Sequence, residues 1–141
     1  MNAGLTIKVV DPDNDYLGIE ICAANDRFSG TTRVYAGLDE LSSFATQIAG
    51  FPAALRDNRK YEFGQRGRSF AGGYCGLSLH CVDRLGHAVI EVEIEDDGGS
   101  YPPANAKFSF RFEPAALDRF IKRLLEVEQV SFGEATLSFE V

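Results

Sequence analysis

Residues 107–128, KFSFRFEPAALDRFIKRLLEVE, change their hydrophobic period midway. Phe108, Phe110 and Phe112 recur at every second position, which puts three aromatic rings on one face of a strand over 107–113. Beyond Glu113 the spacing lengthens, and Leu117, Phe120, Ile121, Leu124 and Leu125 fall on one face of a helix over 114–128. Pro114 suits the first helical position, where its missing amide costs nothing. A strand that feeds directly into an amphipathic helix predicts an α+β fold.

Period two dominates upstream. Cys75, Leu77, Leu79 and Cys81 share one face of one hairpin arm, with strand structure firmest over 76–82, and Ala88, Ile90, Val92 and Ile94 share one face of the next, over 88–95. The DRLG between them suits a four-residue loop on a type I turn, with Gly86 left-handed. At the start of the chain, pairing Val9 with Leu17, Ile7 with Ile19 and Leu5 with Ile21 keeps every apolar residue on one face of a hairpin. A third strand is expected over 31–36, a short one over 61–63 and a last one over 135–141, with Ala135, Leu137, Phe139 and Val141 inward. Leu38, Leu41, Phe44, Ala45 and Ile48 predict a helix over 38–50, with Gly37 as N-cap and Gly50 at the stop.

The expected fold is therefore a single α+β domain over 1–141, an antiparallel meandering sheet with two amphipathic helices packed on one face. The other face is expected to be polar and wet. RVYAGLDELSSF resembles SFRFEPAALDRF, with Leu41 and Phe44 matching Leu117 and Phe120, and GIEICAAND resembles GLSLHCVDR. An internal pseudo-repeat is one explanation; the similarity of any strand feeding an amphipathic helix is the other.

At 141 residues such a domain buries roughly two-thirds of its unfolded surface. Hydrophobic residues make up 45% and charged residues 25%, an ordinary globular balance that argues against long disorder. The net charge of −7 repels a phosphate backbone and attracts a basic protein, so nucleic acid is not an expected partner. No run approaches the ~20 apolar residues of a membrane helix, and MNAGLTIKVV has neither the basic nor the long apolar region of a signal peptide. Three sparse cysteines, Cys22, Cys75 and Cys81, lack metal-ligand spacing and suit core positions in a reduced cytoplasm.

Four stretches carry side chains that invite a chemical reading. GQRGRSFAGGYCG at 64–76 lacks the lysine and following helix of a phosphate loop, so its glycines suit a mobile connection or a bulged start to a strand. Anion contact by Arg66 or Arg68 is the alternative. DPDND at 11–15 lacks the glycine and glutamate of a calcium loop and reads as a hairpin turn. His80, His87 and Glu91 share the polar face in the proposed register; the alternatives are exposed surface groups or an acid–base site. EVEIEDDGG at 91–99 lines up Glu91, Glu93 and Glu95 and continues into Asp96 and Asp97. Placing Ile94 opposite Phe108 sets Glu95 against Lys107 and Glu91 against Arg111. That register leaves Glu93, Asp96 and Asp97 unpaired, with Tyr101 in the adjoining loop as an aromatic anchor.

The run DRLGHAVIEVEIED, followed after a loop by KFSFRFEPAALDRFIKRLLEV, resembles the C-terminal half of the bacterial WapI-type immunity proteins and related small proteins. The shared pattern is a D-x-x-G-H turn, an alternating strand, a strand of alternating aromatics and a Leu-x-x-Phe helix. The present chain adds the strand ATLSFEV. The resemblance implies a bacterial protein that binds and neutralises a toxin, and it brings no catalytic residues; no cofactor is expected, and the cysteine usage points to the cytoplasm. Glu93, Asp96, Asp97 and Tyr101 are then the expected contacts to a basic partner. An enzyme using His80, His87 and Glu91 and a homodimer or larger homo-oligomer are the alternative expectations.

Overall fold

Each expected strand and helix is present, though the last strand ends at Ser138 and Val141 lies outside the described residues; the strand pairing sets how they are grouped. The computed structural model describes residues 4–67, 72–96 and 102–139. The elements run β1 (Gly4–Pro12), β2 (Leu17–Ala24), β3 (Ser29–Ala36), α1 (Glu40–Ile48), β4 (Asn58–Gly64), β5 (Tyr74–Cys81), β6 (Ala88–Glu95), β7 (Asn105–Phe112), α2 (Pro114–Val130) and β8 (Glu134–Ser138). The fold is α+β with antiparallel meanders. The strands divide into two four-stranded sheets, ordered β3-β2-β1-β8 and β4-β5-β6-β7, where the sequence pattern led to the expectation of one.

The division follows from where the chain goes after each helix. β4 follows α1 but pairs with β5, and β8 follows α2 but pairs with β1. Each sheet is thus a three-strand meander completed by the strand beyond the other meander's helix. RVYAGLDELSSF and SFRFEPAALDRF occupy equivalent strand-to-helix junctions, β3–α1 and β7–α2. GIEICAAND and GLSLHCVDR do not correspond, since they lie in β2 and β5.

β3 is the seam, packing against all four strands of the second sheet. There the Gly73 amide donates to the Arg33 carbonyl at 2.7 Å. A Cβ on Gly73 would stand 1.8 Å from Oγ1 of Thr32, so the crossing requires glycine.

Inward faces of both sheets and both helices merge into one core. Phe44 of α1 lies at its centre, with ring centroids 5.1 Å from Tyr61, 5.2 Å from Phe63 and 6.0 Å from Phe120. Phe108, Phe110 and Phe112 are all buried, as their alternation predicts. Leu38 and Leu125, expected inside, are exposed: Leu38 precedes the first turn of α1, and Val127 takes the inward place on α2. The N-cap of α1 is Asp39, not Gly37, and its side chain makes no capping bond. Glu128 of α2 accepts the Ser42 amide at 2.9 Å instead, while Arg59 donates to the carbonyls of Gln47 and Ala49 at the other end. Helix α1 is therefore capped at both ends by side chains from other elements.

The β5–β6 hairpin has the expected register, Cys75 opposite Ile94 and Cys81 opposite Ala88, with Gly86 left-handed at φ 82°. DPDND is a turn closed by the Asp13 amide on the Tyr16 carbonyl. Two other registers are displaced by two residues. Ile7 faces Ile21, with a bulge between Val9 and Asp11, and Phe108 faces Val92. A two-residue slip keeps every side chain on its own face, so alternation alone does not resolve it.

Phe44→Ala is expected to lower the free energy of unfolding in urea by about 3–5 kcal/mol, whereas Phe132→Ser, at an exposed position, should change it by less than about 0.5 kcal/mol. Equal losses at the two positions would contradict a core centred on Phe44.

Candidate functional site

Side chains that alternate away from the core on β4–β7 form the outer face of the second sheet. Glu62, Gly76, Glu93 and Lys107 stand abreast across the four strands, and Lys60, Ser78, Glu91 and Ser109 form the next row. Gly76 and Ser78 keep the floor of β5 low between the taller side chains of β4 and β6. The result is an open depression of ≈ 300 Å³ walled by Lys60, Glu62, Arg66, Tyr74, Glu91 and Glu93.

Tyr74 owes its position to Gly76. Its ring folds along the strand into the space a side chain at 76 would occupy; a Cβ there would stand 2.5 Å from the phenol oxygen. The hydroxyl donates to Glu62 Oε2 at 2.7 Å. Burial and this bond push the phenol pKa well up, so Tyr74 stays neutral.

Arg66, at the start of the glycine-rich stretch, lies over that ring with its guanidinium carbon 4.2 Å from the centroid. It donates to both oxygens of Glu93, by a short bond to Oε2 and by a 3.0 Å bond to Oε1. Glu95 Oε1 stands 3.7 Å from the same guanidinium, and its Oε2 accepts the Gly67 amide at 3.1 Å. The Arg66 bond, working against partial burial, holds the Glu93 carboxyl below its ordinary pKa of 4.5. The Arg66 side chain is 51% exposed, so water screens the pair and its contribution to stability is small. What the cluster fixes is the position of charge on the face.

These contacts correct the expectation for Glu93. It is not an unpaired acid opposite Ser109; the register sets it opposite Lys107, and Arg66 takes its carboxylate. Asp96 is not unpaired either. Its amide and carboxylate bond the carbonyl and amide of Ala104, at 3.0 and 2.9 Å, and close the base of the β6–β7 loop. Asp97, Tyr101 and Arg68 lie outside the described residues.

His80 stays on the outer face, diagonal to Glu91 across the β5–β6 pair, while His87 is engaged elsewhere. The His87 ring bonds Asp83 within the hairpin turn and holds that carboxyl below its usual range, while Glu91 Oε1 stands 3.5 Å from Lys107 Nζ. No group of three metal-ligating side chains occurs among the described residues. All three cysteines are free, and burial pushes the Cys75 thiol far above its ordinary pKa. Arg66, Tyr74 and Glu62 were not singled out together by the sequence pattern. Their one signal is Tyr74-Cys75-Gly76, an aromatic two places before a glycine on the same strand face.

A second hollow of ≈ 200 Å³ lies on the first sheet beside Asp11, Arg33 and Tyr35. Its charges are engaged locally, Asp11 by the Tyr16 hydroxyl and Arg33 by Glu20. No protein family, curated protein or solved structure matches the chain.

Because the folded pKa of Glu93 is depressed, its contribution to stability is present above the unfolded carboxylate value and is lost as pH falls through the folded one. A carbon-detected NMR titration should find Glu93 titrating below 4.5 in the wild type and shifting upward in Arg66→Ala. An unchanged midpoint would show that Arg66 does not hold this carboxylate.

Proposed function

We propose that the chain is a non-enzymatic protein-binding module that offers the outer face of its second sheet to a basic partner, as an immunity protein does to a toxin. The observation that carries this reading is the depression itself: carboxylates from β4 and β6 converge around a low floor of Gly76 and Ser78 on a four-stranded frame. A concave face on which Glu62, Glu91, Glu93 and Glu95 outnumber Lys60, Arg66 and Lys107, on a chain of net charge −7, favours cationic protrusions and speeds their encounter. A depressed carboxyl pKa at Glu93 suits a standing negative charge, not proton donation near neutral pH.

The resemblance to WapI-type immunity proteins supplies the kind of partner. A nuclease toxin presents a basic groove to phosphate, and an acidic sheet face is a fitting substitute for that phosphate. The place proposed for this protein is the bacterial cytoplasm, where its free cysteines stay reduced. No helix among the described residues is long and apolar enough to cross a membrane.

The test is stopped-flow association with the basic toxin domain that a pull-down from native lysate recovers. Glu62→Lys with Glu91→Lys should slow association at low salt by about tenfold or more and flatten its salt dependence, with the far-UV spectrum unchanged. Wild-type rates in the double variant would show that this face does not dock the partner. A solution dimer that buries the face would replace the reading with self-association.

A further inference from the structure

Arg66 occupies a site with the attributes of an arginine receptor. Glu93 matches the planar fork of a guanidinium with two oxygens, Glu95 adds a second carboxylate, and Tyr74 supplies a flat face beneath. This combination favours arginine over lysine, because an ammonium neither stacks flat nor bonds in parallel pairs. Tyr74 is held ready by Gly76 below and Glu62 at its hydroxyl, independently of Arg66.

The occupant, by contrast, comes from the chain just beyond β4 and not from the sheet face itself. Its side chain is half exposed, and its backbone lies between Gly64 and Gly67, both at positive φ, with the Gly67 amide bonded to Glu95. The ≈ 300 Å³ depression opens directly beside the guanidinium and gives an incoming side chain a path to the same carboxylates.

We infer that the Tyr74–Glu93–Glu95 cluster is a recognition site for an arginine side chain of the partner, and that Arg66 fills it until that side chain arrives. This deepens the proposed docking face and rests on that reading only for who supplies the arginine. The placeholder has a physical use. Without Arg66, Glu93 and Glu95 lose their guanidinium and repel one another along β6, Glu93 faces Glu62 across β5, and Lys107 is engaged by Glu91. Exchanging one guanidinium for another leaves the carboxylates paired before and after, so displacement carries little net desolvation cost. A tethered competitor acts at an effective concentration on the order of millimolar, which rejects loosely placed cations and admits a guanidinium delivered by a docked surface.

The experiment is a titration of N-acetyl-arginine methylamide, and separately of its lysine analogue, followed through the Tyr74 ring and Glu93 carboxyl resonances. Arg66→Ala should bind the arginine probe about tenfold or more tightly than wild type does, because the competitor is gone. The lysine analogue should bind the same variant about tenfold more weakly than the arginine probe, and adding Glu93→Gln should abolish arginine binding. Equal binding of both probes, or no gain in Arg66→Ala, overturns the inference. If Arg66→Ala does not fold, the wild type decides: excess arginine probe should erase the contact between the Arg66 side chain and the Tyr74 ring, and its persistence at saturation overturns the site. Arginine binding without any binding of the toxin domain keeps the site and removes the immunity reading. Toxin binding unaffected by Glu93→Gln does the reverse.

Discussion

The close passage of β3 over the start of β5 sets the geometry on which the rest depends. The Gly73 amide bonds the Arg33 carbonyl at 2.7 Å, and this contact fixes the meeting of the two sheets where β5 begins. The seam carries a cost: the Thr32 hydroxyl, 2% exposed, has no hydrogen-bond partner among the described residues, a loss of about 1–3 kcal/mol for such a group. Strand exchange offsets it. Because β4 completes the sheet of the second meander and β8 that of the first, neither meander has its full sheet without the other, and the core between them is continuous. The next residue after Gly73 is Tyr74, so the contact that joins the sheets also sets the backbone from which the aromatic platform of the outer face is built.

Much of the fold was legible because strand faces and helix faces are written in local periodicity. Phe108, Phe110 and Phe112, and the inward sets of β5 and β6, lie where alternation puts them. Alternation fixes register only to within two residues, however. The short DRLG loop removed that ambiguity for β5–β6, while the longer β6–β7 loop and the bulge after Val9 left it open. The number of sheets was not legible either. A strand that follows a helix has no local mark saying which edge it will join: β4 joins the meander that follows it, and β8 returns to the one at the start of the chain. Capping of α1 by Glu128 and Arg59 escaped notice for the same reason, since both partners come from elsewhere in the chain.

The candidate site shows the same limit in sharper form. The acidic stripe of β6 was plain in EVEIEDD, and its residues do face outward. Which of them are engaged depended on register and on a loop: a slip of two residues moved Glu93 from Ser109 to Lys107, and Arg66 reached across β5 to take it. A glycine-rich stretch read as a connection thus contributes the cation that organises the face. The pairing of an aromatic with a glycine two residues on was readable, but its significance lay in what the ring would support.

A sheet face of carboxylates, with a guanidinium seated on Tyr74 between Glu93 and Glu95, is the centre of this account, since both the docking reading and the arginine site depend on it. The most direct measurement is the proton spectrum of the free protein at neutral pH and low salt. The account predicts nuclear Overhauser contacts between the Arg66 side chain and the Tyr74 ring, with the Arg66 side-chain protons displaced upfield by the ring and restored in Tyr74→Leu. Arg66 resonances at random-coil positions, without contacts to Tyr74, would contradict it.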